Sequence, residues 1–158
     1  MIDMAGLKVT IKEIRPIKAA CLDGNGPFNE MGPLFREING WIKDNNVQMT
    51  GIPGIALEPD DPSEVGPDNC RYRVCVPIRG DAKGSCGVMI ETLPGIHAAC
   101  TLHKGPYSGL PAKWQEMMRW VRENGYTIAD VPREVYLNDC WGSSEYELLT
   151  EIQIPVKK

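Results

Sequence analysis

The chain has 158 residues, 42% of them hydrophobic, enough for one domain with a core or for two halves sharing one. Its net charge of −4, a pI near 5.2 and the lack of any basic block argue against direct nucleic-acid binding and leave room for a cationic partner. No stretch approaches a membrane span, Met1-Ile2-Asp3-Met4 does not open a signal peptide, and the six cysteines (21, 70, 75, 86, 100 and 140) show no zinc-ligand spacing, so a cytoplasmic protein with reduced thiols and no metal or cofactor is expected.

In chain order, residues 7–14 alternate apolar and polar, as a half-buried strand does. Pro16 interrupts, and Ile17 to Leu22 read as a second strand. Asp23-Gly24-Asn25-Gly26-Pro27 is turn chemistry. A helix follows, with Asn29 as candidate N-cap, a stripe of Leu34, Phe35, Ile38, Trp41 and Ile42, and Asn46 as its left-handed end. Strands are predicted at Pro53 to Leu57 and Arg71 to Ile78, with a polar loop between them. Arg79 to Gly87 is a Gly-rich connector.

The same order then recurs. A shift of 79 carries Gly26-Pro27-Phe28 onto Gly105-Pro106-Tyr107, Trp41 onto Trp120, Asn45 onto Asn124 and Pro53 onto Pro132. Positions 9–60 against 88–139 give 13 identities in 52, where composition alone yields about 3. The second helix runs from Leu110 to Asn124, with Ser108 as candidate cap, a stripe of Trp114, Met117, Met118 and Val121, Trp120 on the flank, and Gly125 where the first copy has Asn46. Strands at Pro132 to Asn138 and Leu148 to Val156 complete it. The predicted architecture is therefore α+β: an internally duplicated antiparallel sheet with two long helices on one side. It is a single domain over 1–158, made of halves at about 7–78 and 87–156 joined by 79–87. A ligand cleft is expected between the halves, related by a pseudo-two-fold axis.

Strand alternation suggests where side chains point. If Val135 and Leu137, and Ile152, Ile154 and Val156, pack on the helices, then Glu134, Tyr136, Glu151 and Gln153 share the helix-free face. The first copy has Ile55 and Leu57 in place of Glu134 and Tyr136, so the duplication is chemically lopsided. The alternative is that Glu134 and Glu151 are ordinary solvated residues. His97 and His103 lack a third ligand nearby in sequence, which argues against a metal site, and His103 is placed to hydrogen-bond the turn after it. Trp141, in a polar loop, is either a lid or rim packing.

The second copy resembles the GyrI-like small-molecule-binding superfamily. The residues that carry the likeness are His103-Lys104-Gly105-Pro106-Tyr107, the Trp114 to Tyr126 helix, Pro132 to Asp139 and Glu147 to Val156; the first copy extends it over the whole chain. The family is similar to the effector-binding domains of multidrug-sensing transcription activators. The resemblance implies a stand-alone binding protein for amphipathic or cationic small molecules, serving drug or toxin sequestration or sensing. Glu134 is then the first choice for the anionic group and Glu151 the second, with Tyr136, Tyr107, Trp114 and Trp141 as aromatic walls. A second implication is a hydrolase of cyclopropane-bearing alkylating natural products, with Glu134 or Glu151 as base and Tyr136 or Tyr107 as donor. A third is an inhibitor that interacts with a topoisomerase.

Overall fold

A computed structural model describes residues 6–138 and 144–158. In chain order the elements are β1 (Thr10–Ile14), β2 (Ile17–Asn25), α1 (Met31–Asp44), β3 (Gln48–Met49), β4 (Gly54–Leu57), the one-turn helix α2 (Pro62–Val65), β5 (Arg71–Arg79), β6 (Met89–Leu93), β7 (Ile96–Lys104), α3 (Leu110–Glu123), β8 (Thr127–Ile128), β9 (Arg133–Tyr136) and β10 (Leu149–Lys157). This is an α+β chain of antiparallel sheet with two long helices, as the repeat implied.

Two compact units result, and their boundaries differ from those of the sequence halves. One consists of Met1–Arg15 with Gly95–Lys158, the other of Pro16–Pro94. Each repeat gives its leading strand to the sheet built by the other. β1 pairs with β7, setting Thr10 opposite Cys100, and β6 pairs with β2, setting Met89 opposite Cys21. The strand order is β1-β7-β10-β9 in the first unit and β4-β5-β2-β6 in the second. Alternation along β1 reports which residues are buried but not which neighbour it joins, so the exchange lies beyond what periodicity can reveal.

The two helices obey matching end rules. Asn46 takes φ 53° and Gly125 φ 77°, the left-handed conformation expected after each helix. The preceding Asn45 and Asn124 donate Nδ2 to the carbonyls of Trp41 and Trp120, at 2.8 and 2.9 Å, adding a second donor to carbonyls that already accept from the same residues' backbone N–H. At the other end the expected caps are not used. Short 3-10 turns, Phe28–Glu30 and Tyr107–Gly109, lead into the helices, and the N-cap residues Glu30 and Gly109 make no side-chain cap bond. The turns absorb Asn29 and Ser108 before the helices begin.

In the first unit, α3 buries Leu110, Met117, Trp120 and Val121 against Leu7, Val9, Ala99, Ile152, Ile154 and Val156. Trp120 belongs to this core rather than its flank, and its ring stacks on Tyr126 with centroids 5.6 Å apart. Trp114 and Met118 pack at the edge. Burial on this scale, about 25 cal/mol per Å² of apolar surface, anchors the helix to the sheet. In the second unit α1 buries Met31, Ile38, Trp41 and Ile42. There a Cβ at Gly54 would lie 2.5 Å from the Phe35 ring, so the helix approaches β4 too closely for any side chain.

Candidate functional site

The site lies within the unit that contains α3, and strand register decides its layout. Directly opposed residues in an antiparallel pair point to the same face. Ile152 is opposite Glu134 and Thr150 is opposite Tyr136, whereas Glu151 is opposite Val135 and Gln153 opposite Arg133. Since Ile152 and Ile154 pack on α3, Glu134 and Tyr136 face the helix. Glu151 and Gln153 face the other way. The expectation that all four share the helix-free face is therefore corrected. It assumed that Val135 had to lie against the helix. Arg133, Glu134 and Val135 are all buried, so in this strand alternation carries no information about which face meets the helix.

The helix-side cluster is compact. Trp114 donates its indole N–H to Glu134 Oε2 at 2.5 Å, and the Tyr136 hydroxyl donates to Glu134 Oε1 at 2.8 Å. Tyr107 meets Tyr136 edge to face, with ring centroids 5.6 Å apart. Glu134 is 6% exposed and Tyr107 39%, so the aromatic chain Tyr107–Tyr136 runs from the surface to the buried carboxylate. Among the described residues no Lys, Arg or His forms an ion pair with Glu134. Both oxygens accept from neutral donors, Trp114 and Tyr136.

Local sequence explains why these groups converge. The turn before α3 is pinned where Gly105 N–H donates to the Leu148 carbonyl at 2.8 Å and where His103 Nε2 lies 2.9 Å from the Pro106 carbonyl oxygen. His103 thus takes the turn-bonding role expected of it, and Gly109 leaves room for its ring, 2.7 Å from where a Cβ would stand. This turn delivers Tyr107. Beyond Tyr136 the exit of β9 is tied down by Asn138, which accepts from Leu149 N–H at 2.9 Å and donates to the Glu147 carbonyl at 2.8 Å. Trp141 lies outside the described residues.

Glu151 sits in different surroundings. It is 9% exposed; Lys12 Nζ lies 2.7 Å from Oε2 and Gln153 Nε2 donates to Oε1 at 2.7 Å. Burial pulls the Lys12 ammonium down, but the hydrogen bond and charge of Glu151 outweigh it and the net shift is upward. The Glu151 charge is already neutralised inside the protein. Neither glutamate is a solvated surface residue. Lys12 escaped the sequence reading; the signal was the alternation of β1, which sets Lys12 apart from Ile11. Thr150, fully buried opposite Tyr136 with no partner for its hydroxyl among the described residues, also went unnoticed.

The described residues hold no group of three or more His, Cys, Asp or Glu able to bind a metal, and no helix among them is long and apolar enough to cross a membrane. His97 pairs instead with Glu13.

Comparison with known proteins agrees with this architecture. The C-terminal domain of EcmrR matches with a TM-score of 0.83 and 27% identity, covering 96% of this chain and 98% of that one. In the EcmrR–DNA complex the match, at 28% identity, covers 57% of the longer EcmrR chain. SAV2435, solved bound to tetraphenylphosphonium, shares the fold at a TM-score of 0.66 and 12% identity, over 96% of this chain and 94% of that one. A hydrolase from Listeria innocua does so at 0.66 and 14%, over 95% and 92%. The GyrI-like small molecule binding domain matches residues 7–157, nearly the whole chain, and the chain belongs to that family.

Proposed function

We propose that this chain binds lipophilic organic cations, with Glu134 as the anionic group and Tyr107, Trp114 and Tyr136 as aromatic walls. The observation that carries the reading is the buried Glu134 carboxylate, held by two neutral donors and in no ion pair among the described residues. Burying a charge is costly unless it is paired. A ligand cation removes that cost, and aromatic faces add about 0.5–2 kcal/mol of cation–π attraction. Glu151 is a poorer receptor, because an incoming cation would have to displace Lys12. SAV2435, which shares the fold, was solved with such a cation. The role this reading assigns is sequestration or sensing of drug-like or toxic amphipathic compounds.

Titration calorimetry tests it. Tetraphenylphosphonium should bind at least tenfold more tightly than neutral triphenylphosphine oxide. Equal affinities, or no binding of the cation, would refute the assignment.

A hydrolytic reading draws on one contact, the Tyr136–Glu134 pair, which sets a phenol donor beside a carboxylate base. It further requires a water at Glu134 in place of one of its present donors. Multiple turnovers of a cyclopropane-bearing alkylator, lost in Glu134→Gln, would favour it over simple binding.

A further inference from the structure

The second unit carries a thiol pair that plays no part in the Glu134 site. Cys21 on β2 and Cys75 on β5 are directly opposed, and their sulfurs are 3.2 Å apart. Opposed residues in an antiparallel pair have Cα atoms about 4.5 or 5.5 Å apart, and a disulfide accepts about 4.4–6.8 Å. Closing the bond therefore requires side-chain rotation and no shift of the strands. Both cysteines are 0% exposed, which keeps them from pairing with thiols of other molecules.

An ion pair flanks the two thiols. Arg73 stands two residues from Cys75 on the same face, opposite Asp23, which is two residues from Cys21. The Arg73 guanidinium bonds Asp23 at 2.5 Å and lies 3.9 Å from Glu91. The other repeat lacks the arrangement. Cys100, the equivalent of Cys21, is opposite Gln153 instead of a second thiol, and burial pushes it up to about 12.

We propose that Cys21 and Cys75 form a peroxide-responsive dithiol that closes into a cross-strand disulfide. In the first step one thiolate attacks a peroxide oxygen. An S–O bond forms and the O–O bond breaks; hydroxide leaves, takes up the thiol proton, and departs as water. In the second step the neighbouring sulfur attacks the sulfenic sulfur. The S–S bond forms, the S–O bond breaks, and a second water leaves. Two electrons pass from the dithiol to the peroxide. The co-reactant is hydrogen peroxide, an oxidant small enough to reach sulfurs this deeply buried through brief openings of the β2–β5 ladder.

The native full chain is exposed to hydrogen peroxide, quenched in acid, alkylated and digested with trypsin without reduction. Cys21 and Cys75 fall on separate peptides, residues 19–36 and 74–79, each with one cysteine. The expected product is those two peptides joined, two hydrogens lighter than their sum, and separated again by dithiothreitol. Exposed Cys86 reports that oxidant was present. Recovery of both peptides unlinked while Cys86 is oxidised would overturn the proposal. A disulfide joining Cys21 or Cys75 to any other cysteine would overturn it as well.

Discussion

Strands β4 and β9 occupy the same place in the two repeats and present opposite faces to their helices. In β4 the helix side carries Gly54 and Ala56, with Phe35 against Gly54, while Ile55 lies opposite Cys75 on the other face. In β9 the helix side carries Glu134 and Tyr136. The neighbouring ladders agree between the repeats: Cys21 opposite Cys75 corresponds to Cys100 opposite Gln153. By that correspondence Glu134, the counterpart of Ile55, would face Gln153; it faces Ile152 instead. A slip of one residue moves every side chain of a strand to the other face. Here the slip takes a glutamate and a tyrosine from the face of Glu151 to the face of α3. Duplication supplied two similar scaffolds, and one step of register made them chemically different.

That comparison can be broken or sharpened by mutation. The largest effect is expected from Ile152→Ala. Ile152 is fully buried beneath α3 and directly opposite Glu134, and its truncation should cost about 2–5 kcal/mol in urea unfolding. A loss below about 1 kcal/mol would mean that this face is not the packed one. Gly54→Ala should cost about 1–3 kcal/mol, because the new methyl meets the Phe35 ring. If the variant is as stable as the wild type, β4 does not present Gly54 to its helix.

Lys12→Met should have the smallest effect, about 1 kcal/mol near neutrality, because the Lys12 side chain is 40% exposed and its pair is partly screened. The sign of its pH dependence follows from the upward shift of Lys12. The contribution is complete below the ordinary value of 10.5 and is lost as pH rises through the higher folded value. Wild type and variant should therefore converge in stability at strongly alkaline pH. A difference that persists there would point to packing of the lysine stem.

Much of this was readable in the sequence, and the limits have physical causes. The helices, their left-handed ends at Asn46 and Gly125, and the duplicated order followed from periodicity and turn chemistry. Glu134, Tyr136, Tyr107 and Trp114 were all singled out, and they do come together. The face of β9 was misjudged because a strand buried on both sides gives apolar and polar residues no consistent side. Arg133 and Glu134 are both buried there, and only hydrogen-bonded register distinguishes the faces. The exchange of β1 and β6 was hidden for a related reason, since a strand's own pattern does not name its neighbour. Glu151 ranked close to Glu134 because a glutamate's spacing does not show that a lysine 139 residues away already neutralises it.

The central claim is that Glu134, and not Glu151, supplies the charge for a bound cation. Calorimetry of Glu134→Gln with tetraphenylphosphonium and triphenylphosphine oxide tests it most directly. The substitution keeps shape and removes charge, so the cation should lose about 1.5–3 kcal/mol, the scale of a charge-assisted contact, while the neutral ligand loses little or gains. Equal losses for both ligands, or no loss for either, would contradict the assignment.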